Sequence, residues 1–166
     1  MSRRAEQNTG TREVREAHRF DEQQLLDYLG SHIEGFTGPL SVSQFKGGQS
    51  NPTYKLTAAS GQYVLRRKPP GKLLKSAHAV EREFRAISAL YAAGFPVPRP
   101  LLLCEDDAVI GTTFFVMEFI EGRIFWDLDL PGLEVDERAA IYDNVNETIA
   151  RLHNIDYAAI GLEDYG

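Results

Sequence analysis

The stretch FKGGQSNPTYKLTAASGQYVLRR, from Phe45 to Arg67, decides the fold of this chain. It starts at the end of a short apolar run, Leu40–Phe45, and continues through two further runs, Thr53–Leu56 and Tyr63–Leu65. A polar turn with two glycines separates the first two runs, and Ala-Ser-Gly separates the second run from the third. Short runs of alternating polarity, bounded by such turns, predict a three-stranded antiparallel meander.

The first turn of this meander is the earliest hint of a function. Gly47 and Gly48 are followed by Gln49, Ser50 and Asn51. Glycines let backbone N–H groups approach an anion closely, and the third run ends in three basic residues that can supply a countercharge. The pattern therefore predicts a turn that wraps phosphates. A Gly-Gly turn also occurs in plain hairpins, and the turn by itself does not separate these two interpretations.

Length and composition narrow the class of protein. The chain has 166 residues, of which 43% are hydrophobic and 25% charged, so it should fold around a core. A net charge of −6 argues against a general nucleic-acid binder, which needs a basic surface. Cys104 is the single cysteine, which excludes a disulfide within the chain and predicts a reducing, cytoplasmic setting. We expect residues 1–17 to form a flexible charged leader and expect no membrane association.

Two helices are predicted on either side of the meander. Asp21 is placed to cap a helix over residues 22–34, with Gln24 positioned for the reciprocal contact. A second helix is predicted over residues 77–93, with Ser76 as its N-cap. Its apolar stripe has helical spacing and consists of Val80, Phe84, Ile87 and Tyr91. Glu83 lies at the edge of that stripe, so it can meet a basic side chain from the third strand if this helix packs on the meander.

The chain then returns to strands before its character changes. Leu101–Cys104, Ala108–Ile110 and Thr113–Phe119 are predicted strands, the last of them central because it is β-branched and aromatic. After Gly122 a long helix is predicted over Glu134–His153. Its expected buried stripe is Ile141, Val145, Ile149 and Leu152. The sequence thus predicts an α+β lobe over residues 18–121 and the first, incomplete part of a helical lobe over residues 122–166.

Six motifs in this order resemble one known family. They are GGQSNPTY (47–54), YVLRRKPPG (63–71), SAHAVEREF (76–84), FPVPRP (95–100), FFVMEFIEG (114–122) and RLHNID (151–156). Each motif is weak alone, but six in sequence over about residues 20–166 are specific. The chain resembles the aminoglycoside-phosphotransferase-like kinases, in particular the branch related to the kinase-like domain fused to acyl-CoA dehydrogenases.

The resemblance implies a protein-kinase-like N-lobe, an antiparallel sheet of about five strands with one packed helix, that binds ATP. The turn over the ATP phosphates would be Gly47, Gly48, Gln49, Ser50 and Asn51. By strand alternation Val64 and Arg66 share a face, so Arg66 takes the place of the usual kinase lysine, and Glu83 is its partner. Arginine there departs from the general kinase pattern and brings a wider, forked head. The hinge whose backbone would bind adenine is Met117, Glu118, Phe119 and Ile120.

The same resemblance places the catalytic parts outside this chain. These kinases carry a His-Gly-Asp loop and then a metal-binding Asp, and neither is present in the 166 residues. His153 and Asp156 lie upstream of where that loop would be and are not assigned to catalysis. We therefore expect the Mg²⁺ ligands elsewhere and expect no turnover by this chain alone. The implied acceptor is a hydroxyl of a small metabolite, such as a hydroxyacyl compound.

Alternatives remain open at several residues. Arg67 and Lys68 are interpreted as a solvated strand end, and Glu83 could instead pair with neighbouring arginines on its own helix. His78 is interpreted as a helix-surface or helix-end residue and not as a ligand or base. In the segment after Gly122, Asp127 and Asp129 fit a solvated loop better than a metal site. Phe125 and Trp126 fit an interlobe core. Cys104 fits a buried strand position.

The partners expected from the sequence are a nucleotide and a small-molecule substrate. The last helix could also mediate self-association through an exposed apolar face. A second hypothesis of another class is a non-catalytic module that resembles a pseudokinase and binds a nucleotide or a partner.

Overall fold

The structure, a computed structural model, describes residues 7–47, 51–69, 71 and 78–165. Its strands are β1 (Thr11–Arg12), β2 (Leu40–Phe45), β3 (Thr53–Ala58), β4 (Gly61–Arg67), β5 (Pro100–Cys104) and β6 (Phe114–Glu118). Its helices are α1 (Glu22–His32), α2 (Val80–Ala92), the one-turn α3 (Asp107–Ile110) and α4 (Val135–His153), with a 3₁₀ turn at Glu16–His18. The strands form one antiparallel sheet in the order β1-β2-β3-β4-β6-β5.

The predicted meander is the centre of this sheet. β2 pairs with β3 and β3 with β4, with Leu56 opposite Val42 and Tyr63. Because side chains alternate between the faces of a strand, one face of the sheet carries Tyr54, Leu56 and Leu65, all fully buried. The α+β class is confirmed, with six strands in place of about five.

The extra strand comes from the segment that was expected to be a flexible leader. Thr11 and Arg12 of β1 pair with Phe45 and Gln44 of β2, and the N–H of Lys46 donates to the carbonyl oxygen of Gly10 at 3.1 Å. This part of the leader prediction is therefore wrong. The physical reason is that β2 would otherwise be an edge strand with unpaired backbone groups, which β1 satisfies.

Helix α1 packs on the buried face of the sheet. Asp21 caps it as predicted, since its Oδ1 accepts the Gln24 N–H at 2.9 Å. Leu25 and Leu29 are fully buried and join the sheet residues in one core. Burying each of these two leucines stabilises the fold by about 2 kcal/mol. The helix ends at His32, two residues earlier than expected.

Helix α2 lies on the opposite face of the sheet. It begins at Val80, three residues later than predicted, and the proposed cap Ser76 lies outside the described residues. Val80 is fully buried, and the Phe84 ring lies 5.7 Å from the ring of Phe115 in β6. Tyr91, which was expected on the packed face, is 44% exposed. The start of this helix is therefore fixed on the sheet, whereas its last turn is more open to solvent.

The predicted strand at Ala108–Ile110 is wrong, because these residues belong to α3. Asp106 caps this turn through its Oδ1, which accepts the Ala108 N–H at 2.9 Å. Gly111 ends it with φ +83°, a conformation that favours glycine. The local capping signals outweigh the β-branched composition of the segment, and β5 pairs directly with β6 instead.

The long helix α4 is present, but its apolar stripe is not buried. Val145, Ile149 and Leu152 are 45%, 46% and 41% exposed, so the predicted stripe forms an exposed apolar face of this helix. Phe125, expected in an interlobe core, is 42% exposed. The helix touches the sheet lobe at Arg151, whose guanidinium lies 5.8 Å from the centre of the Phe95 ring. None of the described helices combines the length and the apolar character needed to cross a membrane.

Candidate functional site

A cavity of about 740 Å³ lies on the α2 side of the sheet. Its walls come from the ends of β2 and β3, from the middle of β4, and from the segment that follows β6. The sequence-predicted residues among its lining are Gly47, Val64, Met117, Glu118, Phe119 and Ile120. Strand pairing explains part of this arrangement, since Val64 and Met117 are directly opposite each other in β4 and β6. Gly47 and the predicted hinge therefore border one space.

Arg66 and Glu83 form an ion pair beside this cavity. The Arg66 Nε donates to Glu83 Oε2, and its Nη2 lies 3.4 Å from Glu83 Oε1, so the guanidinium fork meets both carboxylate oxygens. The two side chains are 27% and 36% exposed. The structure thus brings together the strand cation and the helix carboxylate that the sequence paired. Their partial exposure leaves the guanidinium accessible to an anion.

The pair is part of a closed ring of hydrogen bonds. Arg66 Nη1 donates to Thr53 Oγ1 at 2.9 Å, and that hydroxyl donates to the carbonyl oxygen of Asn51 at 3.1 Å. The Asn51 side-chain amide then donates to Glu83 Oε1 at 2.8 Å. Asn51 is 3% exposed, so this ring anchors the far end of the glycine turn in the protein. Gly48, Gln49 and Ser50, also predicted here, lie outside the described residues.

His78 extends this ring from just before the start of α2, in agreement with the prediction that it is a helix-surface or helix-end residue. It lies two residues before α2, with φ +64°, and its Nδ1 is 2.8 Å from Asn51 Oδ1. Because the Asn51 amide nitrogen faces the acceptor-only carboxylate of Glu83, its oxygen faces His78, and His78 Nδ1 must carry the proton. His78 therefore links the glycine turn to the residues that lead into α2.

A second ion pair joins the same two elements. Lys68, just after β4, donates from Nζ to Glu81 Oε1 at 3.0 Å. Burial acts to raise the pKa of Glu81, but the hydrogen bond and charge of Lys68, with a backbone hydrogen bond, hold that pKa below its ordinary value. The prediction that Lys68 is a solvated strand end is wrong. With Arg66–Glu83, this pair fixes the start of α2 against the end of β4.

The predicted hinge has one backbone donor already in use. The N–H of Glu118 donates to the carbonyl oxygen of Arg99 at 3.0 Å. A base in the cavity would therefore have to use other backbone groups of the hinge, such as those of Phe119 and Ile120. Lys55 Nζ lies 4.3 Å from the centre of the Phe119 ring, which holds a cation over that aromatic face.

Sequence reasoning missed several residues of this site. Thr53 could have been found, because it is directly opposite Arg66 in the β3–β4 register and opposite residues share a face. His78 and the lining residues Asn8, Thr9 and Gly10 carried no local signal, since their roles depend on contacts between distant segments.

A comparison with known protein families matches the part of the chain that carries these site residues. The family model described as "Phosphotransferase enzyme family" matches residues 41–166. This range includes the glycine turn, both ion pairs and the hinge. The chain belongs to this family.

The curated relatives of this chain are much longer proteins that are named as members of the acyl-CoA dehydrogenase family. Acyl-CoA dehydrogenase family member 11 of Rattus norvegicus is 49% identical over 160 residues, which cover 94% of this chain and 20% of that protein. The protein of the same name from Gallus gallus is 50% identical over 161 residues, with 95% and 21% covered. Acyl-CoA dehydrogenase family member 10 of Mus musculus is 50% identical over 145 residues, with 87% and 13% covered. The chain spans about a fifth of the length of its family member 11 relatives.

A solved structure supports the fold. A crystal structure from Ralstonia eutropha at 2.32 Å resolution, provisionally assigned as an aminoglycoside phosphotransferase, superposes with a TM-score of 0.78. It is 51% identical, and the match covers 89% of this chain and 42% of that one. The six-stranded sheet with its packed helix is thus the kinase-like fold of that protein.

Proposed function

We propose that this chain is the ATP-binding part of a small-molecule phosphotransferase. The observation that carries the proposal is the Arg66–Glu83 pair, which is tied through Asn51 to the glycine turn at the edge of a 740 Å³ cavity. That volume lies within the range of about 300–1,000 Å³ common for small-molecule sites. In protein kinases a strand cation held by a helix glutamate contacts the nucleotide phosphates, and the same two elements meet here.

The residues present fit ATP in three respects. Val64 and Met117 offer apolar surface for the base, and the segment from Phe119 onward offers backbone groups for its polar edge. Besides the three N–H groups that meet Glu83 and Thr53, the Arg66 guanidinium has one further N–H on each of Nη1 and Nη2 that can donate to phosphate oxygens. Glu83 holds that fork in one orientation, so less conformational entropy is lost when phosphate binds.

The residues present do not fit a complete Mg²⁺ site. Within residues 7–47, 51–69, 71 and 78–165, no three His, Cys, Asp or Glu side chains are grouped to hold a metal ion. In phosphotransferases Mg²⁺ bridges phosphate oxygens and neutralises their charge. In the proposed enzyme the ligands for that ion come from residues other than these.

The proposed acceptor is a hydroxyl group of a small metabolite. Several relatives carry the name acyl-CoA dehydrogenase, which makes a hydroxyacyl compound the acceptor to test first. This part of the proposal rests on the names of proteins of which the chain matches about a fifth or less.

Nucleotide binding can be tested by thermal unfolding of the 166-residue chain. Saturating Mg·ATP should raise its melting temperature, because a ligand at 100 times its Kd adds about 2.7 kcal/mol to the unfolding free energy. Arg66→Ala and Glu83→Ala should lose this shift. Arg85→Ala is a matched control, since Arg85 pairs with Asp164 at 2.5 Å on the exposed part of α2. Equal shifts in all four proteins would remove Arg66 and Glu83 from the proposal.

Transfer is a separate question from binding. No His-Gly-Asp sequence occurs in the 166 residues, so we expect this chain to bind ATP without releasing ADP when hydroxyacyl compounds are added. Steady ADP release by the chain alone, dependent on such an acceptor, would contradict this expectation.

A further inference from the structure

Three segments that are far apart in the sequence meet at one wall of the nucleotide cavity. They are Asn8–Gly10 near the start of the chain, Gly47 at the start of the glycine turn, and Trp126 after the hinge. All of them line the cavity. The segment that looked like a solvated leader in the sequence is thus part of the candidate site.

Specific hydrogen bonds hold this wall together. Trp126 Nε1 donates to Thr9 Oγ1 at 2.7 Å, and this bond joins positions 117 residues apart. The N–H of Lys46 donates to Gly10 O at 3.1 Å, and the β1–β2 pairing continues directly from it. Residues 8–10 are therefore hydrogen-bonded to the sheet through Gly10 and to the segment after the hinge through Thr9.

The close approach at Gly47 gives this residue a second role. A Cβ built on Gly47 would lie 3.2 Å from Asn8 O and 3.7 Å from Trp126 Cη2. The first distance is tighter than ordinary van der Waals contact, so a side chain here would require the Asn8 carbonyl group to shift by a few tenths of an ångström. The absence of a side chain lets Asn8 and Trp126 lie directly against Gly47.

We propose that residues 8–10 and Trp126 form a clasp that closes one side of the nucleotide cavity and increases its affinity for ATP. The clasp lines the cavity without filling it, because the cavity of about 740 Å³ is present with all of these residues in place. A wall beside the glycine turn removes water from the phosphate end of the site, which strengthens the charge interactions there. This inference rests on the proposed ATP-binding function.

The experiment compares wild type with Thr9→Val and Trp126→Phe by calorimetric ATP titration. Thr9→Val keeps the side-chain shape and removes the acceptor, whereas Trp126→Phe removes the donor. Each variant lacks a hydrogen bond of about 1 kcal/mol that keeps the clasp closed, so part of the binding free energy goes into closing it, and the Kd for ATP should rise by up to about fivefold. Thr57→Val is the matched control, because Thr57 is exposed in β3 and does not line the cavity. Its Kd should equal that of wild type.

Trp126 also provides a direct readout, because it is the only tryptophan in the chain. Without nucleotide, acrylamide should quench its fluorescence more strongly in Thr9→Val than in wild type. With ATP, wild-type emission should change and quenching should fall. Thr57→Val should behave as wild type in both measurements.

The possible results separate the inference from the function on which it rests. Wild type that binds ATP, with Thr9→Val and Trp126→Phe binding equally well or more tightly, would overturn the clasp alone. Loss of the ATP-induced melting shift in Arg66→Ala would still support the proposed function in that case. Wild type that does not bind ATP would overturn both.

Discussion

Arg66 and Arg67 are adjacent in β4 but lie on opposite faces of the sheet, and their surroundings differ in kind. The Arg66 side chain is 27% exposed, pairs with Glu83 and donates to Thr53, which lines the cavity. Arg67 is 3% exposed and has no carboxylate at ion-pair distance within the described part of the chain. Its Nη1 donates to Ile110 O at 3.2 Å, and its guanidinium lies 5.3 and 5.9 Å from the rings of Phe20 and Tyr54.

This contrast separates the cation proposed to bind phosphate from one with a structural role. Burial lowers the pKa of Arg67, an effect that the nearby Tyr54 opposes, so the cation is held by aromatic faces and one carbonyl. Arg66 keeps solvent access and a carboxylate that fixes its direction. The side chain of Arg66 is partly open to solvent, whereas Arg67 is buried. The sequence prediction that Arg67 is a solvated strand end is therefore wrong.

The largest expected effect of breaking this contrast is on the buried face. Arg67→Ala should lower the unfolding free energy by about 3 kcal/mol, because it leaves a cavity among buried rings and an unpaired Ile110 carbonyl. Arg67→Met, which keeps most of the volume and removes the charge, should cost about 1 kcal/mol or less. Urea unfolding measures both. If Arg67→Met were as destabilising as Arg67→Ala, the charge and not the packing would dominate.

On the cavity face, substitution of Arg66 should affect ATP binding more than the unfolding free energy. Arg66→Ala should cost less than about 1 kcal/mol of stability, because partly exposed ion pairs contribute little, yet it should abolish the ATP-dependent melting shift. Arg66→Lys should recover part of that shift, since lysine restores the charge without the fork. If ATP raises the melting temperature of Arg67→Met as much as that of wild type, the roles of the two faces are separated more sharply.

Asn51 should combine both kinds of effect. Asn51→Ala removes the buried amide between Glu83 and His78, which should cost about 1–2 kcal/mol and should also weaken ATP binding. His78→Ala should weaken ATP binding less, because it leaves the Asn51–Glu83 bond in place. Calorimetric ATP titration of the two variants measures the order. Stronger loss in His78→Ala than in Asn51→Ala would contradict the proposed ring.

The smallest expected effect is a pH dependence of the unfolding free energy that comes from His18. Burial lowers the pKa of His18 below 6.5, and the charges of Arg67, Arg15 and Arg12 lower it further, against a hydrogen bond from Gln44 that raises it. The unfolded chain therefore binds this proton more readily. The stability that neutral His18 contributes is present above pH 6.5 and is lost as the pH falls through its lower folded value.

The measurement is the unfolding free energy between pH 7.5 and 5.5 in wild type and two variants. His18→Gln should show a weaker fall with decreasing pH than wild type. Arg67→Met should also weaken it, because one of the nearby positive charges is gone. Identical slopes in wild type and His18→Gln would remove His18 from this account.

Local patterns predicted the elements that local forces control. The Asp21 cap, the glycine-bounded strands of the meander and the strand at Phe114–Glu118 follow from the residues themselves. At Ala108–Ile110 composition favoured a strand, but the Asp106 cap and Gly111 made a helical turn. The error shows that capping residues outweigh β-branched composition over so short a segment.

The sequence by itself determined the sheet meander, the strand face that carries Arg66, and the helix face that carries Glu83. Strand and helix periods fix these directions without any knowledge of packing. Only the tertiary structure decided that Arg67 is buried, that His78 contacts Asn51, and that Thr9 meets Trp126 across 117 residues. Such contacts join surfaces from distant parts of the chain, and no local period encodes which distant surface will be met.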